Sequence, residues 1–134
     1  MKIVILGAGA VGSTLANLLS QENDLTIIDN DPVKLHKLEE EADIRTVLGG
    51  ASYPNILVNA GIKDADMVVA VTGSDETNLV ACLISKVLNE SVKTIARVRE
   101  ISYLKGKTKE AMESGEIPVD LSLIHISEPT RRVL

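Results

Sequence analysis

Phenylalanine and tryptophan are absent from this chain, and Tyr53 and Tyr103 are its only aromatic residues. Its core must therefore be Val, Ile, Leu and Ala, the composition of parallel strands buried between helices. Stacking of nucleic-acid bases on aromatic platforms is not expected. Cysteine is almost missing too. Cys82 stands alone, which excludes an internal disulfide and a cysteine-based metal site and fits a reducing compartment. Between Ala81 and Leu83 it reads as a small buried hydrophobe. A basic excess is lacking: 14 Lys and Arg against 19 Asp and Glu leave a formal net charge of −5, so the chain has no footprint for nucleic acid. His36, among Lys34, Lys37 and Glu39 to Glu41, reads as part of a solvated helix face, and no metal site is visible.

Long apolar runs are missing as well. Residues 3–21 carry no charge, but Gly7, Gly9, Gly12, Ser13, Thr14 and Asn17 interrupt them. The stretch is neither a spanning helix nor a signal peptide, and the chain reads as soluble. Its 134 residues suit one domain with a real core.

What the chain does have begins at its start. Lys2-Ile3-Val4-Ile5-Leu6 runs straight into Gly7-Ala8-Gly9-Ala10-Val11-Gly12, a buried strand entering a helix through G-x-G-x-x-G. A second strand-like run, Leu25-Thr26-Ile27-Ile28, ends on Asp29. Strand, glycine loop, helix, strand and terminal acid form the dinucleotide-binding fingerprint. Gly7 allows the tight turn, Gly9 lets a pyrophosphate approach the backbone, and Gly12 lets the helix pack closely. The helix N-terminus offers N–H groups and a partial positive charge to the phosphates. Asp29 is placed to accept from a ribose 2′-OH and to repel a 2′-phosphate, and Asn30 follows it rather than an arginine. NAD(H) is therefore favoured over NADP(H). Helix capping is assigned to Asp31, before Pro32, which leaves Asp29 free for the ribose.

Strand and helix signals alternate along the rest. Val11, Leu15, Leu18 and Leu19 give the first helix an apolar stripe, and a second helix is expected over Pro32–Glu41. A third strand is expected over 44–48, a glycine turn over 49–52 and a short helix over 54–60. A fourth strand at 67–71 precedes a long helix over 74–88, with Leu79, Leu83 and Val87 on one stripe and Val80, Ile84 and Leu88 beside it. A fifth strand is expected over 93–98 and a sixth over 117–121. The alternation implies an α/β, Rossmann-type, doubly wound parallel sheet in three layers, with strand order 3-2-1-4-5-6. The order reverses between strands 1 and 4, so Thr72-Gly73-Ser74-Asp75 should face the glycine loop across the ligand crevice. Thr72 or Ser74 also suits a helix cap, with Asp75 and Glu76 favourable in the first turn, and Thr72 and Gly73 carry both readings. Asn78 lies one turn further in, towards the same crevice. Arg97 meets a phosphate or forms a structural ion pair.

The motifs together resemble one family. Gly7 to Gly12, Ile28-Asp29-Asn30-Asp31, Leu57-Val58-Asn59-Ala60-Gly61 and Asp64-Ala65-Asp66-Met67 match it, as do Val69-Ala70-Val71-Thr72, Ser74-Asp75-Glu76-Thr77-Asn78 and Ala96-Arg97-Val98. The chain is similar to the N-terminal nucleotide-binding (KTN or RCK) domains of potassium-channel and transporter regulators, and most similar to the Trk branch. The resemblance covers residues 1–121. It implies a regulatory, non-enzymatic domain that binds NAD(H), with ATP or ADP as the alternative. The cofactor site would comprise Gly7, Ala8, Gly9, Ala10, Val11, Gly12, Asp29, Asn30, Thr72, Gly73 and Arg97. It further implies a homo-oligomer, dimer or tetramer, on the cytoplasmic face of a Trk-type membrane potassium-translocating subunit, gated by nucleotide-dependent rearrangement. Many members carry Gly-Asp after the third strand, with the acid helping to position the nucleotide. Gly49-Gly50 stands here, so no acidic contact is expected from position 50.

Residues 122–134 depart from the family and read as a non-native or read-through tail, with His125 uninformative. The chain on this reading is a piece of a longer one. The main rival is the cofactor half of an NAD-dependent oxidoreductase, which the fold alone does not exclude. Its only candidate pair, Tyr103 with Lys107, comes after the fifth strand, far from the expected helix. An S-adenosylmethionine-binding methyltransferase domain would also use a glycine loop and an acid, but the full G-x-G-x-x-G spacing argues against it.

Overall fold

A computed structural model describes residues 1–123. Its elements alternate: β1 (Lys2–Leu6), α1 (Ala10–Leu19), β2 (Asp24–Asp29), α2 (Pro32–Glu41), β3 (Arg45–Leu48) and α3 (Pro54–Asn59) come first. They are followed by β4 (Met67–Ala70), α4 (Asp75–Leu88), β5 (Lys93–Arg97), α5 (Gly106–Ser114) and β6 (Leu121–Leu123). The six strands form one sheet in the expected order, β3-β2-β1-β4-β5-β6, with every pair parallel. Leu6 pairs with both Ile28 and Ala70, so β1, β2 and β4 end level and their following loops emerge along one edge.

Alternate residues of β1 divide the core. Ile3 and Ile5 face α1 and α2, packing with Ala16, Leu35 and Leu38. Val4 and Leu6 face the other layer with Leu57, Ala81 and Cys82. Both faces are covered, hence the near-continuous aliphatic strands. No aromatic ring is fully buried among the described residues; Tyr103 packs only partly against the second cluster.

The helices depart from the expected stripes in an informative way. Leu18 is 70% exposed, and α1 turns Gly12 and Ala16 inward instead. On α4 the innermost residues are Asn78, Ala81, Cys82 and Ser85, while Val80, Leu83 and Val87 face outward. Small side chains let both helices approach the sheet closely, and the larger aliphatics flank that line or leave it. Apolar periodicity alone does not distinguish these two faces.

The sixth strand falls at Leu121–Leu123 rather than 117–121. Pro118 has no N–H for a ladder, and its carbonyl accepts instead from the Thr94 hydroxyl at 2.8 Å. Pairing with β5 starts only after Asp120, and two residues past the expected boundary of the unit, Ser122 and Leu123, join the sheet. From Ile124 onward, the expected tail, with His125, lies outside the described residues. Helix α5 was not expected at all. It has no buried residue and so left no periodic apolar signal.

Asp120 fastens the β5–β6 edge. Its carboxylate accepts from the Thr94 N–H at 2.8 Å and the Thr94 hydroxyl at 3.2 Å, and pairs with Lys86 at 3.1 Å. Burial pushes this carboxyl up, but the Thr94 and Lys86 contacts outweigh burial and hold it below its ordinary value. A carboxyl depressed in the folded state stabilises fully above its unfolded value of about 3.9, and the contribution disappears as pH falls through the lower folded value. Asp120→Asn should therefore give a shallower loss of stability in acid, read from urea midpoints between about pH 7 and about pH 2.5. An acid limb identical to that of the unaltered chain would refute this role for Asp120.

Candidate functional site

The glycine loop is shaped by two close approaches. Gly7 has φ +106°, and a β-carbon there would lie 3.0 Å from the Thr72 backbone and the Val71 carbonyl. Its N–H donates to the Ile28 carbonyl at 2.8 Å, so the loop passes between the ends of β2 and β4. Gly12 is required more absolutely, since a β-carbon there would sit 1.7 Å from the Gly7 carbonyl oxygen. The first turn of α1 is thus packed on the loop itself. At Gly9 a β-carbon would meet no protein atom within 4 Å and would project into open space. The first N–H groups of α1 have no partner within the helix.

Asp29 closes the loop from the side of β2. One carboxylate oxygen accepts the Ala8 N–H at 2.7 Å and the other accepts the Asp31 N–H at 2.8 Å. Asp31 caps α2 as expected, accepting from the Val33 N–H at 2.9 Å with Pro32 in the first turn. The expectation that capping by Asp31 leaves Asp29 free is corrected: Asp29 braces the glycine loop. Each of its oxygens has a second lone pair, so further donors can still be accepted.

Across the cleft, Asn78 is fully buried and makes four hydrogen bonds. Its side-chain oxygen accepts from the Thr72 N–H at 3.0 Å and the Thr72 hydroxyl at 2.7 Å. Its side-chain nitrogen donates to the Arg97 carbonyl at 2.8 Å and the Thr72 carbonyl at 3.3 Å. Asn78 therefore does not line the cleft; it ties the end of β4 to the end of β5. The Arg97 guanidinium donates to the Thr72 carbonyl at 2.9 Å, and its buried Nε has no protein partner. The structural ion pair considered for Arg97 is not formed among the described residues. Burial, then Arg99, lower its pKa, while Asp75 opposes them; an arginine stays protonated regardless. Arg99 donates to the Gly73 carbonyl at 2.6 Å, and Asp75 accepts from the Arg99 and Glu100 N–H groups. Ser74 caps α4, accepting from the Thr77 N–H at 3.1 Å.

These loops enclose a cleft of about 720 Å³ at the carboxyl edge of the sheet. It is larger than the hollow of about 510 Å³ between α4 and the α5–β6 connection, which has no glycine loop. Gly7, Gly9, Ala10, Val11, Asp29, Asn30, Thr72, Gly73 and Arg97 line the larger cleft. Ala8 and Gly12 do not: Ala8 contributes its N–H to Asp29, and Gly12 is packed against Gly7. Residues outside the expected cofactor set also line it: Lys34, Thr77 and the turn from Gly49 to Tyr53, of which the sequence reading considers Gly49-Gly50 only for the missing acid. The position of that turn immediately after β3 was the available signal. The cleft presents N–H groups, hydroxyls, one carboxylate and one guanidinium, a set suited to holding a phosphorylated ligand. Cys82 is no nucleophile, because burial, then Asp120, push its thiol up to about 12. Among the described residues no acidic, His or Cys cluster could hold a metal ion.

A family model described as the TrkA-N domain matches residues 3–114. The chain is 51% identical over 122 residues to the Trk system potassium uptake protein TrkA of Vibrio alginolyticus, covering 90% of this chain and 26% of that protein. With the protein of the same name from Haemophilus influenzae it shares 46% over 134 residues, covering 99% and 28%. The chain thus spans about a quarter of the length of the curated relatives it matches. The solved TrkA-N domain of the inner membrane protein ybaL from Escherichia coli has a TM-score of 0.76 at 21% identity, covering 92% of this chain and 87% of that one. The GsuK channel bound to NAD gives 0.67 at 22% identity, covering 82% and 20%. GsuK bound to ADP gives 0.71 at 21%, covering 92% and 31%. At these identities the structural likeness establishes the fold.

Removing the Asn78 side chain strands buried donors and acceptors on two strand ends at once. Asn78→Ala should cost about 2–3 kcal/mol of stability, measured by urea unfolding. A loss below about 0.5 kcal/mol, the range of a surface substitution, would show that the clamp is dispensable.

Proposed function

The chain belongs to the TrkA-N domain family, and from that premise we propose that it is the NAD(H)-binding unit of a cytoplasmic regulator of potassium uptake. The observation that carries the reading is the convergence of the glycine loop, Asp29 and the Thr72–Arg97 pair on one cleft. In this reading residues 1–121 are the nucleotide-binding unit. The pyrophosphate lies against Gly7 to Gly12, where Gly9 leaves space for it and the N-terminus of α1 supplies donors. Asp29 and Asn30 take the ribose, while Thr72, Gly73 and Arg97 close the opposite wall, to which the Arg97 guanidinium brings positive charge. On this reading the domain binds its nucleotide as a regulatory ligand rather than transforming it.

The regulator assembles as a dimer or tetramer at the inner face of a Trk-type membrane subunit that carries potassium. Among the described residues no helix is long and apolar enough to cross a membrane, and in this reading the membrane subunit supplies the path. The nucleotide controls transport by binding two arrangements of the assembly with unequal affinity. ADP or ATP is the second reading of the ligand, favoured by the likeness to GsuK bound to ADP.

Calorimetric titration with NADH, NAD, NADPH, ATP and ADP decides between these ligands. NADH should bind more tightly than NADPH, and Gly9→Val should abolish binding while leaving most secondary structure, because a β-carbon at this position meets no protein atom within 4 Å. Undiminished binding by Gly9→Val would sink the site. Asp29→Ala should weaken NADH at least about tenfold and narrow its margin over NADPH, since a hydrogen bond to a charged group contributes about 1.5–3 kcal/mol. Equal affinity of the unaltered chain for NADH and NADPH would remove that role from Asp29.

A further inference from the structure

Tyr53 is one of only two aromatic residues, and it is placed where an exposed ring has no packing role. It lines the cleft at the β3 side, and 61% of its surface is exposed. Tyr103, by contrast, packs partly against the core. The backbone beneath the Tyr53 ring is fixed. Its N–H donates to the Gly50 carbonyl at 3.2 Å, and its carbonyl accepts from the Ile56 and Leu57 N–H groups at 3.0 Å. The ring itself closes on Gly50: a β-carbon there would lie 2.8 Å from Cε2 and 2.9 Å from Cδ2 of the ring. Only glycine at position 50 lets the ring occupy this place.

The strand order gives the ring a ligand to meet. Moving outward through β1, β2 and β3, the carboxyl edge presents the glycine loop, then Asp29, then the turn that carries Gly50 and Tyr53. A nucleotide with its phosphates on the loop and its ribose at Asp29 has its base continuing towards that turn. We propose that the Tyr53 ring is the wall on which the base of the bound nucleotide stacks, held in position by the absence of a side chain at Gly50. The inference rests on the nucleotide reading of the cleft. A single ring suffices for a single base, so the scarcity of aromatics that excludes a nucleic-acid platform does not exclude this contact. Every base has a π-face, so the ring contributes affinity for adenine nucleotides in general. The choice between NAD(H) and ADP is left to the rest of the cleft.

The test uses the full chain with AMP as the probe and ribose 5-phosphate as the competitor without a base. Because tryptophan is absent, tyrosine emission can be read directly; AMP should quench it in the unaltered chain and leave it unchanged in Tyr53→Phe, where only Tyr103 still emits. Tyr53→Phe should retain AMP affinity, while Tyr53→Ala should weaken it about tenfold. Gly50→Ala should weaken AMP by displacing the ring and add nothing further in combination with Tyr53→Ala. Ribose 5-phosphate should bind all variants alike. Unchanged AMP affinity in Tyr53→Ala overturns the inference, and so does an equal loss for ribose 5-phosphate, which would mark a general distortion. A changed sedimentation coefficient with unchanged affinity would assign the ring to a protein contact, again overturning it. If the unaltered chain binds neither AMP nor NADH, the nucleotide reading falls with it; if it binds both and Tyr53→Ala is neutral, only the stacking wall falls.

Discussion

The contact between Gly12 and the Gly7 carbonyl sets the geometry on which the cleft depends. A β-carbon at Gly12 would sit 1.7 Å from that oxygen, a separation no rearrangement of a flexible side chain could relieve. Because α1 starts directly on the loop, its N-terminus points along the carboxyl edge of the sheet. Gly7, in turn, is pressed against the backbone of Val71 and Thr72, so the same loop fixes its distance from β4. Asp29 completes the arrangement by holding the Ala8 N–H. Three strand ends are located by contacts that pass through the six consecutive residues from Gly7 to Gly12.

The opposite wall is built on another principle. Where the loop relies on missing side chains, the ends of β4 and β5 rely on a buried amide. The Asn78 amide turns both donors and an acceptor inward, and it satisfies the Thr72 and Arg97 backbone without bringing a charge into the core. A charged group at that depth would carry a desolvation cost of several kcal/mol. The neutral clamp stands beside Arg97, whose guanidinium donates to the Thr72 carbonyl and whose buried Nε has no protein partner among the described residues.

Much of this was legible in the sequence because two signals there are physically strict. Continuous aliphatic runs such as Met67 to Val71, too short for helices and bounded by turn residues, read as strands covered on both faces, and their alternation with helices fixes the sheet order through handedness. Gly7 and Gly12 were legible for the same reason, since close backbone approach excludes a side chain at either position. What was not legible depends on three-dimensional neighbours. Leu18 and Val87 fit an apolar period yet face outward, because Ala16 and Ala81 let the helices sit closer. The double engagement of Asp29 needed the loop to be in place. Tyr53 read only as part of a turn, since nothing in one sequence reveals that Gly50 makes room for its ring. Helix α5, with no buried face, was silent.

The distribution of these contacts also says where the domain should yield first. β1, β2 and β4 are buried on both faces and carry the loop, Asp29 and Thr72. The far side is held more thinly: α5 has no fully buried residue, only Met112 packing partly against the core, and β6 has three half-buried residues. Local opening free energy follows buried apolar contact and protected hydrogen bonds, so this edge lies at the low end of the domain's range. Between the two stand exposed links, Asp75 to the Arg99 and Glu100 N–H groups and Arg99 to the Gly73 carbonyl. A ligand seated against Gly73 and Arg97 therefore touches the rigid half of the sheet directly and the weaker half through those links. Any binding energy that differs between two positions of the edge has a short physical route by which to act.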